Sequence, residues 1–431
     1  MQKRRVAVTG LGVVSPLGPD LQSTWTRLIA GHSGIAPIQQ WDASGFPTRI
    51  GAEVKPYVSA PMKGGKHQKY TMPFTRFALD AAREAFEDAG ILPTVATASR
   101  WGVVTGSGMM TAEFEYLERF QKACAQQGVP DWALLQDHSQ DFFKLTDFGK
   151  TVSNSGLSLL IQQFGIEGYA SSVHTACASG GQALGLAMQV IRRGDADYML
   201  AGGFDSMLNP LGVSSFCLLG ALSTYNDTPE TASRPFDGTR NGFVLGEGAA
   251  FLILEEWSHA KARGAAIYAE LAGEGNTLSS YRITDSHPNG DGAIQAMEGA
   301  LRDAGVCATD VDYINAHGTS TVMNDLSETN AIKALFKEQI QTLPVSSTKG
   351  QTGHLIAAAG ALEAVLSVLS IKHALVPKTA NLTTPDPLCD LDYVVDGPRE
   401  KAIGVVLSNS FGFGGSNSCL LFKHPDFEGG A

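Results

Sequence analysis

Ala78-Leu-Asp-Ala-Ala-Arg-Glu-Ala-Phe-Glu-Asp-Ala-Gly90 returns later in the chain as Ala293-Ile-Gln-Ala-Met-Glu-Gly-Ala-Leu-Arg-Asp-Ala-Gly305. Six of the thirteen positions are identical: alanine at 78/293, 81/296, 85/300 and 89/304, aspartate at 88/303 and glycine at 90/305. The offset of 215 residues is half of the 431-residue chain. Each copy reads as an amphipathic helix. In the first, Phe74, Phe77, Ala78, Ala81, Ala82 and Ala85 recur at helical spacing. The closing glycine suits a left-handed C-cap.

The segments after each copy match as well. Trp101-Gly-Val-Val-Thr-Gly106 and Tyr313-Ile-Asn-Ala-His-Gly318 are short apolar strands running into glycine. Each half then offers a strand, a polar turn and an apolar helix. These are Val173-His-Thr-Ala-Cys177 before Ala183 to Ile191, and Pro344-Val-Ser-Ser-Thr-Lys349 before Leu355 to Leu369. Strands close both halves, at Gly248 to Leu254 and at Gly404 to Ser408 with Ser418 to Phe422. This ordered series predicts two similar α/β halves, 1–265 and 266–431, packed as one unit because no low-complexity linker parts them. A helix that is apolar all round must be buried on every side. One such helix per half predicts a central helical layer between two sheets.

Composition narrows the class. Hydrophobic residues at 43% and charged residues at 17% exclude a disordered chain or a coiled coil. The formal charge of −11 gives no nucleic-acid footprint. None of the six cysteines has C-x-x-C spacing, which signals neither a zinc site nor a redox dithiol and fits a reducing, cytoplasmic setting. Lys3-Arg4-Arg5 ahead of Val6 to Val14 mimics a signal peptide, but Gly10, Gly12 and Pro16 make it a first strand entering a turn. Leu355 to Ile371 is short for a membrane span and carries Glu363, so it reads as a buried helix.

Cys177 stands where a strand gives way to a buried helix. A thiol there faces the positive end of the helix dipole, which favours the thiolate, and its neighbours Ala176, Ala178, Ser179, Gly180 and Gly181 are small enough to admit a substrate. His317 follows a strand, and His354 opens the second buried helix. By the repeat, Cys177 and His354 occupy equivalent turns that pseudo-twofold packing would bring together. Two imidazoles beside one sulfur can donate hydrogen bonds to a developing carbonyl anion. His174 would point elsewhere along its strand. Lys349 and Glu328 flank the histidine loops as a supporting ion pair, with Asp325 near them. The glycine run Phe411-Gly-Phe-Gly-Gly-Ser-Asn417 can supply half of an oxyanion hole, the Cys177 N–H supplying the rest. It lacks the Gly-Lys-Ser/Thr of a phosphate loop, and Gly10-x-Gly12 lacks the third glycine of a dinucleotide site. On these residues alone the plainer readings stay open: a small buried hydrophobe for Cys177, solvated charges for Lys349 and Glu328.

The motifs together resemble one family nearly end to end. They are Val8-Thr-Gly-Leu-Gly-Val-Val-Ser-Pro-Leu-Gly18, Thr175-Ala-Cys-Ala-Ser-Gly180, Ser233-Arg-Pro-Phe-Asp237, Gly242-Phe-Val-Leu-Gly-Glu-Gly248, Asn315-Ala-His-Gly-Thr-Ser-Thr321, Thr352-Gly-His-Leu355 and Asn409-Ser-Phe-Gly-Phe-Gly-Gly415. The chain resembles the type II 3-oxoacyl-acyl-carrier-protein synthases among the thiolase-fold condensing enzymes. The resemblance implies an α/β, thiolase-like fold, with duplicated halves forming a layered α-β-α-β-α sandwich. It implies a ping-pong condensation in which Cys177 takes an acyl group and His317 with His354 assists decarboxylation of malonyl carrier protein. Backbone N–H groups of Cys177 and Phe413 would hold the oxyanion, Lys349 and Glu328 match the supporting pair, and Phe413 matches the gating phenylalanine.

The same resemblance implies no resident cofactor or metal, since phosphopantetheine arrives on the acyl carrier protein. It also implies a homodimer, or a heterodimer with a chain-length partner, and no nucleic acid or membrane. Fatty-acid elongation is the pathway implied, with a specialised type II polyketide or aryl-polyene ketosynthase as the alternative. That alternative rests on departures: Gly350-Gln351 after Lys349, Leu218-Leu219-Gly220 where an arginine is usual, and a thin basic set of Lys63, Lys66, Lys69 and Arg76. A thiolase would carry a second cysteine in the glycine loop, which 411–418 lacks, and a non-catalytic chain-length subunit would lack Cys177.

Overall fold

The computed structural model describes residues 3–428 apart from 63–66 and a set of positions between 109 and 143. Among the described residues the main sheet has ten strands. The first half contributes β1 (Val6–Val14), β2 (Trp101–Ser107), β3 (Ala170–Val173), β4 (Tyr198–Ser206) and β5 (Glu247–Glu256). The second contributes β6 (Ala269–Leu278), β7 (Tyr313–Asn315), β8 (Val345–Ser346), β9 (Val405–Phe411) and β10 (Ser416–Lys423). Their spatial order is β3-β2-β4-β5-β1 in one half and β8-β7-β9-β10-β6 in the other. Strand for strand this is one topology used twice: third, second, fourth, fifth, first. The two sheets expected from the sequence meet where β1 and β6 pair through Ala7↔Glu270 and Val8↔Ala269, which joins them at one edge into a continuous ladder.

The helices that matter are α1 (Pro73–Ala89), α2 (Ser179–Arg193), α3 (Pro210–Leu218), α4 (Asp291–Ala304), α5 (Val322–Phe336) and α6 (Ala359–His373). The repeated segment supplies α1 and α4, and its identical residues are contact points. A Cβ built on Gly12 would lie 1.9 Å from the Ala81 carbonyl oxygen, and one on Gly275 would lie 1.9 Å from that of Ala296. Gly10 and Gly273 stand in the same relation to Ala85 and Ala300, at 2.3 Å each. Asp88 accepts the Leu11 N–H at 2.8 Å, and Asp303 accepts the Glu274 N–H at 3.1 Å. Gly90 and Gly305 both cap in the left-handed region, with φ of 62° and 65°. Glycine on the strand and alanine on the helix thus let backbone meet backbone, which is what Gly10-x-Gly12 serves.

Alternation along the strands sets the layers. In β5, Ala250, Leu252 and Leu254 face α2 and α6, while Ala249, Phe251 and Ile253 face α1. In β10, Leu420 and Phe422 face the same central helices, while Cys419 and Leu421 face α4 and α5. The stack is α1, first sheet, α2 with α6, second sheet, α4 with α5. Every residue from Ala359 to Ile371 is buried, Glu363 included. The apolar window Ile356–His373 is 89% buried inside the protein. Where α2 and α6 cross, a Cβ on Gly180 would lie 2.7 Å from the Ala361 nitrogen, and one on Gly360 would lie 2.8 Å from the Gly181 nitrogen. The two helices therefore touch at their first turns, and the loops leading into them converge.

Candidate active site

Cys177 sits in that convergence. The strand expected to run to Cys177 stops at Val173, and a 3-10 turn spans Ala176–Ala178 with Ala176 at a φ of 49°. The other half repeats this geometry: Ile356 has a φ of 48°, a 3-10 turn spans Ile356–Ala358, and α6 begins at Ala359 just as α2 begins at Ser179. The register makes Ala357, rather than His354, the counterpart of Cys177, and makes His174 the counterpart of His354. His174 is turned away, with Nδ1 2.9 Å from the Ser107 carbonyl oxygen.

His354 reaches across to the first half, with Nε2 3.0 Å from Cys177 Sγ. Its main chain is pinned by the Gly242–Gly248 segment: the His354 N–H donates to the Val244 carbonyl at 2.8 Å, and the Gly246 N–H donates to the His354 carbonyl at 2.9 Å. Phe243 packs edge-on against the ring. His317 lies T-shaped to His354 at 5.3 Å between centroids. The ligand atoms of Cys177, His317 and His354 all fall within 4.8 Å of one another, which makes them the group of such residues, among those described, with the spacing to bridge a soft cation. The trio closes the bottom of a cleft whose mouth is formed by Leu219, Gly220, Ile283, Val322 and Met323.

The charged groups behind the trio are wired differently from the sequence expectation. Lys349 is buried, and its Nζ donates to the His317 carbonyl at 2.6 Å and to Glu363. Glu363, not Glu328, is thus the carboxylate bonded to Lys349. Glu328 instead accepts the N–H groups of His317 and Gly318, both at 2.8 Å, and Asn409 Nδ2 at 3.1 Å. Both carboxylates hold the His317 loop, one directly and one through Lys349. Asp325 joins the far end of the His317 loop to a neighbouring one: it accepts the Ser320 N–H at 3.2 Å and the Phe236 N–H at 2.8 Å, and faces Arg240 Nε at 3.6 Å. Gln351, one of the departures, ties the loop to the N-terminal region through the Leu28 and His32 carbonyls.

Burial governs the protonation states. It holds both imidazoles well below the usual histidine range, with the Lys349 charge acting in the same direction, so His317 and His354 are neutral. It pushes the Cys177 thiol up to about 12, against the Lys349 charge and the Phe413 N–H. Burial thus works against the lowering that the helix start was expected to give, and it is the larger influence on the sulfur. Burial also raises Glu328 and Glu363 to about 7 each, and for Glu363 the Lys349 ammonium opposes the shift.

Phe413 occupies the turn after β9, with Gly414 and Gly415 following at φ of 81° and 80°. Its ring lies 6.1 Å from Phe216, inside an apolar group with Cys177, Met207, Leu208 and Ile356. That group begins where the cleft ends. Leu218 and Leu219 are 90% and 52% exposed at the outer rim. Of the basic set, Lys69 and Arg76 are exposed, while Lys63 and Lys66 fall outside the described residues.

Comparison with known proteins follows the same lines. Residues 3–260 match the beta-ketoacyl synthase N-terminal domain family, and residues 268–383 match its C-terminal domain. The 3-oxoacyl-[acyl-carrier-protein] synthase 2 of Coxiella burnetii is 44% identical over 98% of this chain and 99% of its own. That of Synechocystis is 41% identical, with the same coverage of both. Among solved structures, a beta-ketoacyl synthase from Burkholderia phymatum superposes with a TM-score of 0.88 at 34% identity, covering 98% of this chain and 99% of that one. A type II polyketide ketosynthase, bound to a hexaketide and in complex with its acyl-carrier protein, gives 0.86 at 36%, over 98% and 100% of the two chains.

Proposed function

The chain belongs to the beta-ketoacyl synthase family, and on that premise we propose how it acts as a 3-oxoacyl-acyl-carrier-protein synthase of fatty-acid elongation, an acyltransferase of the condensing type. The observation that carries the reading is the Cys177 sulfur with His354 Nε2 at 3.0 Å and His317 beside them at the bottom of one cleft. In the first step Sγ attacks the thioester carbonyl of an acyl carrier protein. The S–C bond to Cys177 forms, the S–C bond to the carrier breaks, and the cysteine proton ends on the departing carrier sulfur. His354 Nε2–H stabilises the sulfur as it loses its proton.

Malonyl carrier protein then enters. The bond to its carboxylate breaks, CO2 leaves, and the electron pair passes into an enolate whose oxygen accepts hydrogen bonds from the two imidazoles. Neutral imidazoles suit this role, because they donate to the enolate without protonating it. The α-carbon attacks the acyl-cysteine, and the oxyanion sits against the N–H groups of Cys177 and Phe413. Collapse expels the cysteine sulfur, which regains a proton, and leaves a 3-oxoacyl carrier protein. Lys349, Glu363 and Glu328 keep the His317 loop in place and touch no reacting atom.

The partner is the acyl carrier protein, and the phosphopantetheine that enters the cleft is the carrier's, so no resident cofactor is invoked. The mouth it meets carries an apolar cluster beside the polar Thr284, Asp285 and Asn324. Leu218, Leu219, Ile283 and Val322 are exposed there, and Arg282 is paired with Asp285. This rim favours a carrier that seats by apolar contact over one steered by charge, and it is the observation behind the second reading, a specialised polyketide or polyene ketosynthase. The halves divide near residue 265, between Ala262 and β6. A homodimer fits β3, a sheet-edge strand with partly exposed residues. A cytoplasmic setting fits the free thiols at 177, 217, 307, 389 and 419. The test is a condensation assay with acyl and malonyl carrier proteins, comparing a housekeeping fatty-acid carrier with carriers of other pathways at two ionic strengths. Formation of 3-oxoacyl carrier and CO2 with the housekeeping carrier is expected. Turnover only with another carrier would move the enzyme to the second reading, and none with any would refute both.

A further inference from the structure

The two convergent turns differ at one residue whose effect is plain only when the halves are aligned. β4 and β9 are counterparts, and their registers against β5 and β10 place Asp205 opposite Gly248, and Gly412 against Ser416 in the other half. Asp205 and Gly412 are thus equivalent positions, as are the residues that follow, Ser206 and Phe413. Asp205 is buried, its Oδ2 accepts the Ala357 N–H at 3.0 Å, and the Ser206 N–H also bonds its carboxylate. Those two N–H groups are the counterparts of Cys177 N–H and Phe413 N–H. The pair that would receive the substrate oxyanion in one half therefore holds the protein's own carboxylate in the other. Gly412 leaves the catalytic pair open: a Cβ there would stand 3.1 Å from the Cys177 nitrogen and 2.8 Å from the Thr175 carbonyl oxygen.

We propose that the turn ahead of α6 is a second oxyanion hole kept filled by Asp205, and that Asp205 is thereby a positioning residue for His354. Ala357 lies three residues beyond His354, across the positive-φ Ile356. The Gly242–Gly248 segment fixes one end of this turn, and Asp205 fixes the other. Burial raises the Asp205 carboxyl to about 7, so near neutral pH it is only partly ionised, and what charge it carries raises the Cys177 thiol. Replacing the carboxyl by an amide of the same size therefore chiefly removes the second anchor of the imidazole.

The inference rests on the condensing reading, and Asp205→Asn separates the two. An amide can accept one of the two N–H groups but presents its own N–H to the other. The expected result is malonyl decarboxylation slowed about 10- to 100-fold, the range for a displaced catalytic group, and acyl loading of Cys177 slowed with it, because His354 Nε2 lies 3.0 Å from Sγ, while Asp205→Glu, which keeps a carboxylate, restores both. A merely structural role would be disturbed more by the added methylene of Asp205→Glu than by Asp205→Asn. Amide exchange at Ala357 should quicken by more than about tenfold, one hydrogen bond's worth, whether or not the wild-type protein decarboxylates malonyl thioesters, so this readout survives failure of the functional reading. Unchanged decarboxylation together with unchanged Ala357 exchange, or Asp205→Glu as impaired as Asp205→Asn, would overturn the proposal. Should Asp205→Asn not fold, Gly412→Asp gives the converse test. Its φ of −112° is open to any residue, and the 2.8 Å approach of the new Cβ to the Thr175 carbonyl oxygen requires the Thr175–Cys177 turn to shift slightly. A carboxylate in the open hole should cut decarboxylation and condensation by about 100-fold or more. Near-normal rates in folded Gly412→Asp would show that the two holes are not equivalent.

Discussion

The turn before α2 and the turn before α6 share a positive-φ residue, a 3-10 turn and a 15-residue helix, yet one carries the Cys177 sulfur and the other an alanine. The difference is a handful of side chains. Cys177 has Ala357 as its counterpart, Gly412 has Asp205, and the histidine of each turn is used oppositely: His354 crosses to the sulfur while His174 is tied to the Ser107 carbonyl. The repeated topology supplies two converging helix starts, and on the proposed reading the chemistry is assembled across them, with the nucleophile from one half and both imidazoles from the other. A single half would hold a thiol with no imidazole against it.

The comparison can be broken first at the sulfur. Cys177→Ala makes the reactive turn resemble its counterpart, and condensation should fall by about 10⁴-fold or more, as when a nucleophile is removed from a catalytic unit. Residual condensation above that level would show that another group carries the acyl chain. Next come the imidazoles. His317→Ala and His354→Ala should each cost about 10²- to 10³-fold in malonyl decarboxylation, typical of losing one donor to a developing anion. They should differ in acyl loading. His354→Ala should slow it, because Nε2 is 3.0 Å from Sγ, and His317→Ala should spare it. Equal loading rates in the two variants, measured by rapid quench, would contradict that division.

The shared scaffold gives a sharper, smaller test. Gly12→Ala and Gly275→Ala each force a Cβ to 1.9 Å from a helix carbonyl, so each should cost about 1–3 kcal/mol in denaturant unfolding, and by similar amounts. A large loss from one and none from the other would mean that the halves are packed by different rules.

The smallest effect is a slope. The Cys177 thiol is raised to about 12, so its thiolate fraction should grow about tenfold per pH unit between pH 7 and 9. Iodoacetamide labelling should climb with that slope, while exposed Cys307 reacts faster at neutral pH. A plateau for Cys177 below pH 9 would restore the helix-start thiolate that the sequence suggested.

What was legible in the sequence has a physical pattern. The alanines at 81, 85 and 89 and their repeats were readable because close helix–strand contact tolerates nothing larger, so the packing constraint is written locally. Cys177 and His354 were readable because short glycine-bounded turns leave few places for a side chain. Glu363 was not, since inside an otherwise apolar helix it reads as an interruption, and only the folded position of Lys349 gives it a purpose. Pairing Lys349 with Glu328 failed for the same reason: both lie near the histidine loops in sequence, but Glu328 spends its oxygens on the N–H groups of His317 and Gly318 and the Asn409 amide. Asp205 was invisible because β4 and β9 share little beyond Leu200/Leu407 and Phe204/Phe411, too little to align them, and strand register is what sets their equivalence.

The most direct test of the account is to follow the acyl group itself. Wild-type protein incubated with an acyl carrier protein thioester, digested and mapped by mass spectrometry, should carry the acyl mass on the peptide containing Cys177 and nowhere else. Adding malonyl carrier protein should discharge it as 3-oxoacyl carrier protein. An acyl mass on another residue, or one that persists in Cys177→Ala, would contradict the assignment of this turn as the reactive one.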